Sequence, residues 1–172
     1  MTEGLDHREA LPQALTGRKL FKIAFDLEQE RPDWPPVAVE RLWGEKTGIR
    51  LEVRVVNVPF FARGLAIGDL VQVRPDHDRR ELVFDHHKAK SDHSTIRIVE
   101  MEDGCWRNFV ADIEALGCHW EVGDVKAMVA IDVPGDVNYA TVIDLLLRHK
   151  LEGRIGVQEA AISKIHAEQL QN

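Results

Sequence analysis

Residues 57–69 read NVPFFARGLAIGD. The segments on either side of them alternate apolar and polar residues, the period-two signature of half-buried strands. One strand therefore runs into this stretch and another runs out of it. Gly64 and Gly68 allow positive φ, and the Asp69 carboxylate can accept hydrogen bonds from the turn amides. The stretch has neither G-x-x-x-x-G-K-[ST] nor G-x-G-x-x-G before a long helix, so it is not a phosphate loop. It reads as a sharp turn that sets how the chain enters the next strand. Phe60 and Phe61 then divide: one plugs a barrel, and the other lies at the surface or domain boundary. Arg63 stands at the rim of a concavity, in a surface salt bridge or open to an anion or a partner's carboxylate.

Upstream, residues 19–27 place Phe21, Ile23, Phe25 and Leu27 on one side. Residues 29–36 carry Pro32, Pro35, Pro36 and Trp34 and form a loop. Residues 37–43 alternate again, 44–48 turn, and 49–58 point Ile49, Leu51, Val53 and Val55 inward, giving a hairpin. Downstream, strands at 70–74 and 81–85 flank a charged turn. Five short strands with almost no helix describe a small β-barrel or curved sheet over residues 18–90.

The second half changes period. Residues 95–101 form a strand. Residues 104–117 carry the helical stripe Trp106, Phe109, Val110, Ile113 and Leu116, with Asp103 as N-cap and Gly117 as stop. Strands at 118–122 and 125–133 meet at a Gly123–Asp124 turn. A second helix presents Tyr139, Val142, Ile143, Leu146 and Leu147, Gly153 ends it, and a last strand covers 154–162. The order β-α-β-β-α-β over 93–163 is a ferredoxin-like α+β domain. Its two helices cover one sheet face. The other face is left for the N-terminal domain, for a second copy in a homodimer, or for another partner. Residues 1–17 read as a mobile tail and 164–172 as a helical tail. The domain boundary falls between His86 and His93.

The bulk properties exclude several functions. The 172 residues are 44% hydrophobic and 30% charged, with a net charge of -7 and a pI near 5.6. No basic run suggests a nucleic-acid reader. An acidic surface suits a basic protein partner. No segment approaches the roughly 18 apolar residues of a membrane span, and the N-terminus has no signal-peptide core. Cys105 and Cys118 lie at the two ends of the first helix, about 20 Å apart, too far to bridge. These features point to a cytoplasmic protein with reduced thiols.

Four histidines (His77, His86, His87 and His93) and four aspartates crowd residues 76–94. His86 and His87 are adjacent and would point to opposite faces of a strand. No H-x-x-x-H lies on a helix and there is no C-x-x-C, so this reads as a polar hairpin and linker, with no metal or cofactor. His93–Ser94–Thr95 sets a base beside a hydroxyl, but strand neighbours point apart and no third residue orients the histidine. The structural role is that His93 and Ser94 bond backbone groups where the domains meet, while Arg97 holds a carboxylate across the sheet. No catalytic residue is assigned. Trp106 belongs to the helix stripe and Trp43 to the barrel. Trp34 and Trp120 are expected to be exposed, as interface tryptophans can be.

The residues VERLW (39–43), NVPFFARGLAIGD (57–69), HSTIR (93–97) and ALGC (115–118) carry a resemblance. In that order they resemble a bacterial family catalogued only as a domain of unknown function, over residues 19–162. The resemblance implies a small, soluble, cytoplasmic protein and no established activity. The Gly68–Asp69 turn before a Leu-Val-x-Val strand also resembles the GD box of cradle-loop barrels.

The functional expectation is a non-enzymatic binding protein. By analogy it acts as an immunity or antitoxin-like protein that neutralises a basic toxin. Its candidate binding residues are Phe60, Phe61, Arg63, His93, Arg97, Trp34 and Trp120. The alternative is a small enzyme or ligand sensor with a pocket between the two domains.

Overall fold

The computed structural model describes residues 17–123 and 127–171. The tail expected over residues 1–17 lies outside them except for Gly17. The chain is α+β, mostly strand, in two sheets.

The first sheet comprises β1 (Leu20–Asp26), β2 (Val39–Lys46), β3 (Glu52–Val55), β4 (Leu70–Asp76) and β5 (Glu81–Ala89). Sequential neighbours pair antiparallel. The ring closes through a short parallel contact of β1 with β5 at Ile23↔Leu82 and Ala24↔Val83. Closure joins the two edge strands over these two residue pairs and turns one face of every strand inward. Ile23, Phe25, Leu42, Val53, Val55, Val71 and Val73 fill the interior, together with Ala62 and Leu65 from the 57–69 loop.

Two local expectations change here. Gly44 is not a turn residue but an interior position of β2, paired with Val55. A Cβ on it would come within 2.4 Å of Val53 and 2.5 Å of Ile23, so its missing side chain makes room for the ring's core. The turn lies after Lys46, and Ile49 is exposed rather than inward. Thr47 closes that turn by donating its hydroxyl to the Glu52 carboxylate at 2.8 Å.

The second sheet has the order β7-β8-β6-β9 and is antiparallel throughout. Its strands are β6 (Ser94–Glu100), β7 (His119–Val122), β8 (Met128–Val133) and β9 (Ile155–Ala161). A helical crossover joins β6 to β7, and α2 (Tyr139–Leu151) joins β8 to β9. The first crossover is not one helix. A 3-10 turn at Cys105–Asn108 precedes α1 (Val110–Ala115), and Phe109 between them has φ −130°. The N-cap of the turn is Gly104 at φ 74°, without a side-chain cap, rather than Asp103. The apolar stripe still packs: Phe109 and Ile113 meet Ile96, Ile98, Val129, Ile131 and Val133 in one core. Both cysteines are free thiols buried in that same core. Asn138 caps α2 by accepting from the Thr141 amide at 3.0 Å. A short α3 (Lys164–Gln169) ends the described chain.

The face of this sheet away from the helices carries Thr95, Arg97, Ala130 and Asp132, each no more than 1% exposed. The 57–69 loop covers it. Gly64 N–H donates to the Ala160 carbonyl at 2.9 Å, and the Thr95 hydroxyl donates to the Leu65 carbonyl at 3.0 Å. Of the three coverings expected for this face (the N-terminal domain, a second copy or another partner), the 57–69 loop of the N-terminal half supplies one. Among the described residues, no helix is long and apolar enough to cross a membrane, and no group of three His, Cys, Asp or Glu side chains is placed to hold a metal ion.

Candidate functional site

The 57–69 loop has two sides. Its inner side is built around Glu40, a carboxylate in β2 only 8% exposed. Glu40 accepts from the amides of Phe60 at 2.6 Å, Phe61 at 3.0 Å and Ala62 at 2.7 Å. Burial pushes its pKa up, while these amides and the charge of Arg97 pull it down. Three consecutive amides aimed at one carboxylate fix the loop's path. At the loop's far end, Gly64 and Gly68 take φ 64° and 84°. Asp69, 1% exposed, accepts from Ala66 N at 3.2 Å and Ser91 N at 2.7 Å. Lys90 donates to the Gly64 carbonyl and, at 3.3 Å, to Asp69.

Arg97 lies under this loop at 1% exposure. It was expected to hold a carboxylate; instead its Nη1 donates to the Phe61 carbonyl at 3.2 Å. Glu40 acts on it through charge, opposing the effect of burial, which lowers its pKa. Its Nε and Nη2 find no acceptor among the described residues. Phe60 packs on the second sheet, where a Cβ on Gly123 would sit 2.9 Å from its ring. Neither Phe60 nor Phe61 plugs the ring, because Ala62 and Leu65 occupy its core.

His93 and Ser94 separate completely. His93 Nδ1 bonds Asp132 at 2.8 Å and 3.1 Å, and His119 approaches the same carboxylate at 3.4 Å. The Asp132 bond raises the pKa of His93, with burial opposing and Asp136 and Asp92 assisting. The Ser94 hydroxyl instead donates to His166 Nδ1 at 2.7 Å and accepts from Ser163 N at 2.8 Å. His166 Nε2 then donates to the Pro134 carbonyl at 3.1 Å, and its ring stacks on Tyr139 at 4.8 Å. Ser94 and His166 are both 0% exposed. This serine–histidine pair is a buried clamp that ties α3 to the sheet.

The outer side of the loop borders a half-open cleft of about 290 Å3 at one end of the ring. Phe25, Phe61 and Phe84 with Leu27, Leu65 and Pro35 form its apolar wall, and Asp26, Glu28, Glu30, Arg63 and His87 its polar lining. Phe25 and Phe84 stack at 5.1 Å. Trp34 meets Phe61 edge-on at 5.5 Å. The turn carrying Glu30 and Trp34 is closed by backbone bonds Glu30 N to Trp34 O at 2.9 Å and Trp34 N to Arg31 O at 3.0 Å. Arg63 Nη2 donates to Glu30 at 2.7 Å, and Arg79 Nη1 to Asp26 at 2.7 Å. Burial and the charge of Lys90 lower the pKa of His87, against the charge of Asp69, which raises it.

Of the residues expected at a site, Phe61 and Arg63 line this cleft, and Trp34 backs Phe61 without lining it. Phe60 and Arg97 lie in the seam between ring and sheet, and His93 sits with Asp132 outside the cleft. Trp120 is half-buried against Trp106 at 5.1 Å and donates to Glu114 at 2.9 Å. Trp34 is half-buried too, so neither tryptophan stands free. Trp43 lies outside the ring's core, with Lys22 Nζ 5.1 Å from its ring centre.

Sequence reasoning missed Glu40, Asp132, His166 and the acidic strip Asp26, Glu28 and Glu30. The strip had a signal, because three carboxylates alternate as β1 runs into its loop. Asp132 sits between Ile131 and Val133, and Glu40 falls in one period-two row with Ala38 and Leu42, which is where a buried acceptor shows in sequence.

A family model described as Domain of unknown function (DUF4265) matches residues 40–157. The chain belongs to this family. The match runs from Glu40 through the 57–69 loop to β9, so it contains both the seam and the loop side of the cleft. This DUF4265 chain is also similar to a solved structure described as "Novel crystal structure of a hypothetical protein from Neisseria gonorrhoeae". The TM-score is 0.69 at 20% identity, over 85% of this chain and 96% of that one. That likeness concerns the fold. No curated protein matches the chain.

Proposed function

We propose that this DUF4265 protein is a cytoplasmic, non-enzymatic binding protein that recognises a basic protein partner, acting as an immunity or antitoxin-like protein does when it covers a basic toxin. The observation that carries this reading is the charge of the cleft. Asp26, Glu28 and Glu30 line it; Arg79 pairs with Asp26 and Arg63 with Glu30, which leaves the charge of Glu28 in excess, on a chain of net charge -7. Such a field speeds the approach of a cationic surface and disfavours anionic ones such as nucleic acid. The apolar wall supplies the desolvated contact that charge alone lacks. The reading of the architecture as a cradle-loop-like barrel followed by a ferredoxin-like domain is supported by the β1–β5 closure, the Gly68–Asp69 turn and the sheet order β7-β8-β6-β9.

The experiment is to express the products of the genes flanking this chain's own, and to titrate any that is basic against the wild type and a Glu28→Gln/Glu30→Gln variant. The reading expects a stoichiometric complex, association that slows as salt rises, and loss of binding in the variant. A complex indifferent to salt and to both substitutions, or no complex, would overturn it.

A further inference from the structure

We infer that the cleft receives an arginine side chain from the basic partner, and that Arg63 is its intramolecular stand-in. This inference rests on the binding reading above and names what the site takes.

Three observations lead to it. The first is size. At about 290 Å3 the cleft lies at the small end of ligand pockets, which run from about 300 Å3 upward. It suits one long side chain better than a large cofactor. The second is the pairing of surfaces. The Phe61 ring, braced edge-on by Trp34, lies in the wall of a cleft whose lining includes Glu28 and Glu30. A guanidinium is the cation that both stacks on an aromatic face and forms a two-pronged bond to carboxylate. An ammonium does the second poorly and presents no plane for the first.

The third observation is the occupant already there. Arg63 reaches Glu30 through one bond only, Nη2 to Oε2 at 2.7 Å, and its side chain is 56% exposed. The geometry shows that a guanidinium fits beside Glu30, and that this one holds loosely. Glu28 has no ion-pair partner among the described residues. A partner's arginine can take both oxygens of Glu30, add Glu28, and displace Arg63 toward solvent. An anionic ligand would face the charges of Asp26, Glu28 and Glu30 in the lining as well as Arg63.

The test uses the full chain and three capped tripeptides, Gly-Arg-Gly, Gly-Lys-Gly and Gly-citrulline-Gly, followed by NMR shifts of the Trp34 indole and the Phe61 amide. The expected result is saturable shifts with the arginine peptide, weaker ones with lysine, and none with citrulline. Arg63→Ala should tighten the arginine peptide by up to about fivefold, the equivalent of one surface ion pair. Glu30→Gln should abolish the shifts while the rest of the spectrum stays folded. Equal binding of lysine and arginine, or weaker binding by Arg63→Ala, overturns the arginine assignment but leaves a basic partner in place. Failure of both cationic peptides to shift any cleft resonance, even with Arg63→Ala, overturns the inference. If a basic product of a flanking gene still forms its salt-dependent complex, the proposed function survives that failure.

Discussion

The two sides of the 57–69 loop use the same chemistry to opposite ends. On the inner side, Glu40 is buried and accepts three backbone amides. On the outer side, Glu30 holds one guanidinium through one bond at the edge of an open cleft. A carboxylate that is buried and saturated cannot be rearranged without orphaning amides in a buried seam. A rim carboxylate can exchange its partner at little cost. The seam therefore reads as the part that holds ring and sheet together, and the cleft as the part left free to bind.

The largest expected effect breaks the seam. Glu40→Ala leaves three amides and Arg97 without their acceptor or counter-charge. It should cost about 3–5 kcal/mol in urea denaturation, the scale for removing one partner of a buried charged network. Ser94→Ala comes next, because it strands His166 Nδ1 and Ser163 N. About 2 kcal/mol is expected, without loss of peptide binding at the cleft. Gly68→Ala forces a side chain into φ 84° with Ser91 Cβ 3.1 Å away. A loss of roughly 1–2 kcal/mol follows from the left-handed backbone.

Stability against pH separates the histidines. The folded pKa of His93 is raised, so its contribution is fully present below the unfolded value and fades as pH rises through the folded value. His87 and His166 are lowered, so theirs is present above the unfolded value, about 6.5, and is lost as pH falls below it. Above about pH 6.5 the His93 contribution grows as pH falls; below it that contribution is constant, and the losses at His87 and His166 set the slope. Replacing His93 with Gln should remove the gain above that pH and leave the slope below it, and a profile unchanged by that substitution would show that the Asp132 bond carries no net stability. The smallest effect belongs to the rim: Arg63→Ala should change stability by less than about 0.5 kcal/mol.

Much of this comparison was legible in the sequence, and its gaps have physical causes. Alternation in 19–27 and 70–74 and the stripe through Phe109 and Ile113 identified strands and a helical crossover, because each pattern reports which face is buried. Gly68–Asp69 declared its turn, since positive φ and a short acceptor are local needs. Gly44 misled, because the space it vacates is filled by Ile23 and Val53 from other strands. The exchange of partners at His93 and Ser94 was hidden for the same reason. Asp132 and His166 lie 39 and 72 residues away from them, and no spacing rule reaches that far. Phe60 and Phe61 divide as expected, but with Phe60 on the seam and Phe61 on the cleft, and neither in the ring's core.

One paired measurement addresses the division of the loop most directly: arginine-peptide affinity and melting temperature, recorded on the wild type and on Glu28→Gln/Glu30→Gln. The account predicts that peptide binding disappears while the melting temperature moves by no more than about 2 °C, as for surface substitutions. Retained binding with both carboxylates neutralised, or a melting temperature that falls as far as that of Glu40→Ala, would contradict it.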